Sequence, residues 1–151
     1  MHTAFLALGS NVGDRAAHIE NAVQLLSRKV EIVARAPLYE TRPEGITDQP
    51  DFLNTALECR TDMSVRELLA FAKEVEREEG RIERLRWGPR EIDIDIIFYD
   101  DLVYQDETLT IPHPRMQDRD FVLRPLAALA PDHIHPVLHK TVQTLLGERG
   151  A

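Results

Sequence analysis

The stretch Glu91-Ile92-Asp93-Ile94-Asp95-Ile96-Ile97-Phe98-Tyr99 begins with alternating polar and apolar side chains and is rich in isoleucine. This pattern predicts a half-buried β-strand. Because side chains alternate between the faces of a strand, Asp93 and Asp95 should share one face and the isoleucines the other. The two aspartates would lie about 6.6 Å apart along the strand.

Further strands and helices surround this stretch on both sides. We predict extended segments over 3–8, 30–41 and 52–61, and a helix after Asp14. A second helix should begin at Ser64 with a capping box and end at Gly80. A third is predicted over 118–130, interrupted or re-capped around Pro125, and a short one over 141–148. This mixture predicts an α+β or α/β fold with helices on a mostly antiparallel sheet, in a single domain over 1–151.

Charge and composition narrow the class of function. The formal net charge of −8 argues against nucleic acid as a partner, since phosphate binding needs a basic surface. The single cysteine, Cys59, allows no intramolecular disulfide and is predicted to be a core residue, which fits a cytoplasmic location. The chain shows no basic leader and no apolar run approaching about 20 residues, so we expect no membrane association.

The paired aspartates predict a metal site. Two partly buried carboxylates at this spacing repel each other unless a cation lies between them. They could converge on two divalent ions roughly 3.5–4 Å apart, and oxygen ligands favour magnesium over zinc. The alternative is a strand with a solvated polar face, and the D-x-D pattern alone leaves both interpretations open.

The segment before the strand favours phosphate binding. Residues 80–90 hold four arginines and the only tryptophan, Trp87. Arginine can donate two parallel hydrogen bonds to phosphate oxygens, so arginines beside a metal site suggest a bound polyphosphate. A solvated charged loop would explain the arginines but not Trp87.

Three other segments contain residues or patterns associated with phosphate or metal binding. His113 is flanked by prolines and followed by Arg115 and Arg119, which makes it a plausible phosphate ligand as well as an ordinary structural histidine. The segment 9–13 lacks the Lys and Ser/Thr of a Walker A motif, so its glycines are predicted to form turns. A zinc site at His133, His135 and His139 is a minor alternative, since their spacing matches no standard set.

Taken in order, four segments resemble the hydroxymethyldihydropterin pyrophosphokinases. They are 7–11, 49–54, the run Arg86-Trp87-Gly88-Pro89-Arg90 leading into Asp93-Ile94-Asp95, and Pro112-His113 with Arg119 and Phe121. The resemblance implies a ferredoxin-like α+β core with a three-layer α/β/α arrangement. It also implies transfer of pyrophosphate from ATP to the hydroxymethyl group of 6-hydroxymethyl-7,8-dihydropterin with release of AMP, in folate biosynthesis. We expect the chain to be a monomer.

The resemblance also implies roles for individual residues. Asp93 and Asp95 would hold two Mg²⁺ ions. The implied ATP-binding residues are Leu69, Arg81, Arg90, Ile96, Thr110, His113 and Arg119, with Arg81 and Arg90 also catalytic. The implied pterin-binding residues are Thr41, Pro43, Phe52, Asn54, Trp87, Asp95 and Phe121, and Arg84 and Trp87 would belong to a loop that closes over the substrates.

Two other functions remain open from the residues alone. One is a different D-x-D transferase with a nucleotide donor, such as a nucleotidyl or glycosyl transferase. The other is a non-enzymatic regulatory module on the same scaffold. Release of AMP from ATP would separate pyrophosphate transfer from an ordinary kinase reaction, and binding without turnover would favour the module.

Overall fold

Two strand–helix–strand units interleave their strands in one sheet. The computed structural model describes residues 1–43, 48–80 and 91–149. Its elements are β1 (His2–Ser10), α1 (Arg15–Leu26), β2 (Glu31–Arg35), β3 (Tyr39–Thr41), β4 (Phe52–Thr61), α2 (Val65–Glu78), β5 (Asp93–Tyr99), β6 (Tyr104–Gln105), β7 (Thr110–Ile111), a 3-10 turn (Met116–Asp118), α3 (Asp120–Leu129) and α4 (Val142–Arg149).

The main sheet has the order β2-β4-β1-β5, with β3 also pairing β4, and every pair is antiparallel. The crossover through α1 joins β1 to β2 across β4, and the crossover through α2 joins β4 to β5 across β1. This is the ferredoxin-like topology, so the predicted fold class is confirmed. Strands β6 and β7 form a separate hairpin.

Apolar side chains cover both faces of the main sheet and give the molecule three layers. One core joins Leu6, Leu8 and Ile94 of the sheet to the buried faces of α1 and α2. A second core joins Phe5 and Ile97 to the buried faces of α3 and α4. The α/β/α arrangement is therefore present as predicted, and β5 contributes side chains to both cores.

Local signals place the helix ends as predicted. The Asp14 side chain accepts a hydrogen bond from the Ala17 amide at 3.1 Å and begins α1. Ser64 and Glu67 form a reciprocal capping box at the start of α2. Gly80 follows the end of α2 with φ of +91°, a left-handed conformation that glycine adopts without strain.

The third helix differs from the prediction at Pro125. Helix α3 begins at Asp120 rather than Asp118 and continues through Pro125 without interruption. A proline inside a helix removes one hydrogen bond and costs about 3 kcal/mol or more. Burial of Val122, Leu123 and Leu126 in the second core supplies the compensating packing free energy.

The structure also tests the predictions for Cys59 and for the C-terminal histidines. Cys59 is fully buried, and burial raises the pKa of its thiol to about 12, which confirms the core assignment. No three His, Cys, Asp or Glu side chains of the described ranges converge as metal ligands, so the zinc alternative at His133, His135 and His139 is wrong. None of the helices in those ranges is long and apolar enough to span a bilayer.

Candidate active site

A row of residues across three strands places a predicted pterin-binding residue close to a predicted metal ligand. Gly9 of β1 is paired with Asn54 of β4 on one side and with Asp93 of β5 on the other. Directly paired residues of antiparallel strands project from the same face of the sheet. An amide and a carboxylate therefore flank a position that has no side chain.

Gly9 is required by close packing and does not form a turn. It lies inside β1, so the prediction that it shapes a turn is wrong. A Cβ atom at this position would lie 2.8 Å from the Asn54 Oδ1 atom and 3.5 Å from Cδ1 of Phe52. The sequence shows a strand followed by Gly-Ser-Asn, and it does not reveal that a neighbouring strand fills the space over the glycine.

Three of the predicted pterin-binding residues meet beside Gly9. The Asn54 amide nitrogen donates a hydrogen bond to the Thr41 hydroxyl oxygen, which fixes the orientation of the amide. Phe52, two residues earlier in β4, lies on the same face of the strand and is paired with Thr41. Pro43 is half-buried just beyond β3. The segment 44–47, which follows Pro43, lies outside the described residues.

We expect Gly9→Ala to weaken pterin binding selectively. The added methyl group would displace the Asn54 side chain, because 2.8 Å is closer than a Cβ atom and an oxygen can approach. We expect pterin affinity to fall about tenfold or more, the cost of a misplaced hydrogen-bonding group. Isothermal titration calorimetry with pterin and with an ATP analogue would measure both affinities.

Gly147→Ala is the matched control for this substitution. Gly147 lies in α4, and a Cβ there would have no heavy atom within 4 Å. Its substitution should leave both affinities unchanged. Unaltered pterin affinity in a folded Gly9→Ala variant would show that Asn54 does not recognise the pterin.

The paired aspartates lie on one face of β5, as predicted. Asp93 and Asp95 are half-buried, while Ile94 and Ile96 point into the core under α1 and α2. The pKa of Asp95 is well above its usual value, first because of burial and then because of the neighbouring Asp93 and the Glu76 carboxylate. The carboxyl pair therefore resists full ionisation unless a cation offsets its charge.

Glu76 adjoins the paired aspartates and was not among the residues predicted from the sequence. This carboxylate of α2 is buried, and its Oε2 atom accepts a hydrogen bond of 2.7 Å from the backbone amide of Ile94, between the two aspartates. Lys73 Nζ lies 3.6 Å from the other carboxylate oxygen. Leu69, Lys73 and Glu76 are spaced four and three residues apart on α2, a helical periodicity that could have identified them together.

A cavity of about 310 Å³ lies between α2, β5 and the segment 106–110. Four of the predicted ATP-binding residues line it together with Asp95, namely Leu69, Ile96, Thr110 and His113. Lys73 adds a positive charge to the same cavity. The structure thus brings one predicted metal ligand and four predicted ATP-binding residues to a single concave site.

His113 joins this cavity to Asp93 and Arg119. Burial and the charges of Arg119 and Arg115 lower the pKa of His113 to about 4, while Asp93 raises it. His113 is therefore neutral near pH 7. Its Nδ1 atom accepts a long hydrogen bond of 3.4 Å from the Arg115 amide, which leaves the proton on Nε2 as a donor.

The remaining predicted residues divide into two groups. The Arg119 guanidinium lies over the Phe121 ring, with Cζ 5.4 Å from the ring centre, so these two residues adjoin His113 at the start of α3. Arg81, Arg84, Trp87 and Arg90 lie outside the described residues, and their predicted functions stay predictions.

Paired carboxylates beside a polar cavity are compatible with a broad class, the transferases that handle phosphate groups, while the ferredoxin-like fold alone does not specify a function. Comparisons with known proteins identify the family. The family described as 7,8-dihydro-6-hydroxymethylpterin-pyrophosphokinase (HPPK) matches residues 5–131. The chain therefore belongs to the 7,8-dihydro-6-hydroxymethylpterin pyrophosphokinases, which are enzymes of folate biosynthesis.

Relatives differ in how much of their length the chain matches. A 2-amino-4-hydroxy-6-hydroxymethyldihydropteridine pyrophosphokinase of Aquifex aeolicus is 44% identical over 143 residues, which cover 95% of this chain and 89% of the relative. Folic acid synthesis protein fol1 of Schizosaccharomyces pombe is 46% identical over 145 residues, 95% of this chain. The chain spans only 20% of that second protein.

Solved structures share the fold. A Plasmodium falciparum HPPK-DHPS structure with SDX-DHP aligns with a TM-score of 0.74 at 18% identity, over 98% of this chain and 43% of that one. A triple mutant of the same protein aligns with a TM-score of 0.79 at 19% identity. At this level of identity the similarity supports the fold alone.

Proposed function

We propose that the chain transfers pyrophosphate from ATP to the hydroxymethyl oxygen of 6-hydroxymethyl-7,8-dihydropterin and releases AMP. In this reaction the hydroxymethyl oxygen bonds to the β-phosphorus of ATP, the bond between that phosphorus and the α,β-bridging oxygen breaks, and the hydroxyl proton leaves. The row Asn54–Gly9–Asp93 is the observation that carries the proposal. It supports adjacent binding of a hydrogen-bonding heterocycle and a charged phosphate chain on one face of the sheet.

The chemistry of Asp93 and Asp95 fits a magnesium site. Both donors are carboxylate oxygens, which magnesium prefers. The pKa of Asp95 is raised first by burial and then by the nearby carboxylates of Asp93 and Glu76, whose charge a cation would offset. We propose that these two residues hold two Mg²⁺ ions together with ATP. Bound magnesium would neutralise the charge that accumulates on the transferred phosphates. Glu76 holds the strand between the two ligands through the Ile94 amide.

The phosphate chain would be held by His113 and arginines. A neutral His113 donates a hydrogen bond from Nε2 without the desolvation cost of a buried charge. Arg119, close enough to lower the pKa of His113, supplies a positive charge at the start of α3. Arg81 and Arg90 are proposed to bind the same phosphates and to stabilise charge during transfer.

The adenosine end of ATP would occupy the cavity. Leu69 and Ile96 offer apolar surface for a base, and Thr110 offers a hydroxyl group on the other wall. The cavity volume of about 310 Å³ suits a nucleoside, since small-molecule sites begin at about 300 Å³. Asp95 and His113 lie at the same cavity, where the phosphate chain would continue towards the pterin.

The pterin would bind on the other side of Gly9. The Asn54 amide, oriented by Thr41, would recognise the amide-like edge of the heterocycle. Phe52 and Phe121 would stack on its two faces, and aromatic stacking suits a flat ring. Asp95, Pro43 and Trp87 are proposed to line the same pocket, and Arg84 and Trp87 are proposed to belong to the loop that closes over both substrates.

Product analysis with ATP labelled in the α- and γ-phosphates tests the proposal. With dihydropterin and magnesium present, we expect labelled AMP and a pterin that carries the γ-label. Formation of ADP would indicate single phosphoryl transfer and contradict the proposal. Substrate binding without turnover would favour a regulatory module, and transfer of a nucleotidyl group would favour the alternative D-x-D transferase.

We further propose that residues 1–151 act as one pyrophosphokinase domain, monomeric and cytoplasmic. The family match supports this extent over residues 5–131. Location varies among relatives, since a Pisum sativum relative is named a mitochondrial bifunctional protein. Light scattering after size exclusion would test the monomer, with a mass near 17.2 kDa expected. Cell fractionation would test the location.

A further inference from the structure

One face of α2 forms a wall of the nucleotide cavity and extends beyond it. Leu69 and Lys73 line the cavity. Arg66 lies three residues before Leu69, so it projects from the same face of the helix towards the cavity mouth. Neither the sequence patterns nor the family resemblance assigned Arg66 a function.

The opposite wall is a turn built around a single carboxylate. Residues 106–109 connect β6 to β7, and the Oδ1 atom of Asp106 accepts hydrogen bonds from the amides of Thr108 at 2.8 Å and Leu109 at 2.9 Å. The Tyr104 hydroxyl donates to the Oδ2 atom of Asp106. Asp106, Thr108 and Leu109 all line the cavity.

Arg66 bridges the two walls. Its Nη1 atom lies 2.9 Å from Asp106 Oδ2 and 2.8 Å from the Thr108 hydroxyl oxygen, and it donates to both. Residues 66 and 106 are separated by 40 positions, so this contact ties two elements that are far apart in the sequence. The guanidinium thereby sets the distance between the helix and the turn at the mouth of the cavity.

We propose that Arg66 is a positioning residue for ATP, which acts through Asp106 and Thr108 to hold the nucleotide cavity at its binding width. The inference rests on the proposed use of this cavity by ATP. Arg66 contributes little to folding, because it is half-exposed and exposed ion pairs add little stability. Its main contribution is to affinity, since a preformed cavity avoids the entropic cost of ordering the turn when ATP binds.

The charge on Asp106 makes this bridge persistent. The hydrogen bond from Tyr104, followed by that from the Thr108 amide, lowers the pKa of Asp106 to about 2. The carboxylate therefore remains ionised from mildly acidic to neutral pH. Arginine is always charged in this range, so the bridge does not depend on pH.

The test compares Arg66→Ala with wild type by steady-state kinetics. We expect the KM for ATP to rise about three- to tenfold, as for loss of one or two hydrogen bonds that preorganise a site. The kcat and the KM for dihydropterin should stay within about twofold, and the melting temperature should fall by no more than about 4 °C. Arg66→Lys, which retains the charge, should restore part of the ATP affinity.

Arg35→Ala is the matched control. Arg35 forms an exposed ion pair of the same length, 2.9 Å, with Glu20. Glu20 lies outside the cavity lining, whereas Asp106 and Thr108, the partners of Arg66, belong to it. The KM of Arg35→Ala for ATP should equal that of wild type. An equal rise of KM in both variants would reveal a general charge effect and overturn the proposal.

Two further variants separate this inference from the proposed function. Leu69→Trp should fill the cavity and raise the KM for ATP strongly. If Leu69→Trp has this effect and Arg66→Ala does not, the positioning proposal is wrong and the ATP site stands. If neither variant alters the KM for ATP, the cavity is not the nucleotide site and both proposals are wrong.

A double variant tests whether Arg66 acts through Thr108. The effects of Arg66→Ala and Thr108→Val on the KM for ATP should be less than additive, because both substitutions disrupt the same bridge. Fully additive effects would overturn the positioning proposal.

Discussion

Replacing Asp93 or Asp95 with asparagine should lower kcat by about a hundred- to a thousandfold while the fold remains intact. Losses of this size follow removal of one group that stabilises charge in the transition state. Each substitution removes a carboxylate that would bind magnesium but keeps the shape of the side chain. Initial rates of AMP formation at saturating ATP and pterin, over a range of magnesium concentrations, would measure the effect.

In the absence of metal, the carboxylate of Asp95 should lower the stability of the fold, so its replacement should have a favourable effect there. Because the pKa of Asp95 is raised, the folded chain binds more protons at this site than the unfolded chain does. The metal-free wild type should therefore lose stability as the pH rises from the usual value of 3.8 towards the raised pKa. Thermal denaturation should show a smaller decrease of melting temperature with rising pH for Asp95→Asn than for wild type. Added magnesium should raise the melting temperature of wild type more than that of the variant.

Asp101→Ala serves as the control for these measurements. Asp101 is exposed after the end of β5, and its removal should alter neither the rate nor the response to magnesium. Near-normal turnover of Asp93→Asn and Asp95→Asn in magnesium would rule out the metal site. An identical thermal response to magnesium in wild type and both variants would lead to the same conclusion.

Phe121→Ala should weaken pterin binding by about 1–3 kcal/mol, or roughly five- to 150-fold in Kd, through loss of one stacking face. Phe121 is half-buried at the start of α3, where the Arg119 guanidinium lies over its ring. ATP affinity should change by less than about threefold, because the nucleotide cavity is lined by other residues. Calorimetric titration with each ligand in turn would measure both values.

Leu129→Ala provides a matched loss of apolar packing. Leu129 lies at the other end of α3, is also half-buried and packs on the same core as Phe121. It should reduce thermal stability without changing pterin affinity. Equal weakening of pterin and ATP binding in Phe121→Ala would identify Phe121 as a core residue and remove it from the pterin pocket.

The sequence predicted those features that depend on neighbours along the chain. The alternating stretch 91–99 placed Asp93 and Asp95 on one face of a strand, and the Ser64 and Glu67 pair located the start of α2. Both follow from fixed backbone periodicity or from contacts three residues apart. The residues themselves pointed to His113, and the family resemblance added Leu69, Ile96 and Thr110. The structure gathers all four at one cavity.

Features that depend on distant packing were not predictable from local patterns. Gly9 was assigned to a turn, because a nearby Asn54 side chain cannot be inferred before the strand register is known. Pro125 was expected to interrupt a helix. Helix α3 continues through Pro125 because it packs against the sheet and α4, and this packing cannot be inferred from neighbouring residues in the sequence. The link from Arg66 to Asp106 has the same character, since nothing in either segment specifies that the two side chains meet.

The burial of Cys59 has a practical consequence for spectroscopy. A fully enclosed thiol with a pKa of about 12 has almost no thiolate at neutral pH and should react slowly with maleimides. A cysteine introduced at an exposed position such as Val33, on β2, could therefore be labelled with a dye or spin probe while the native cysteine is kept. Pairs of such labels would report distance changes in solution as each substrate is added.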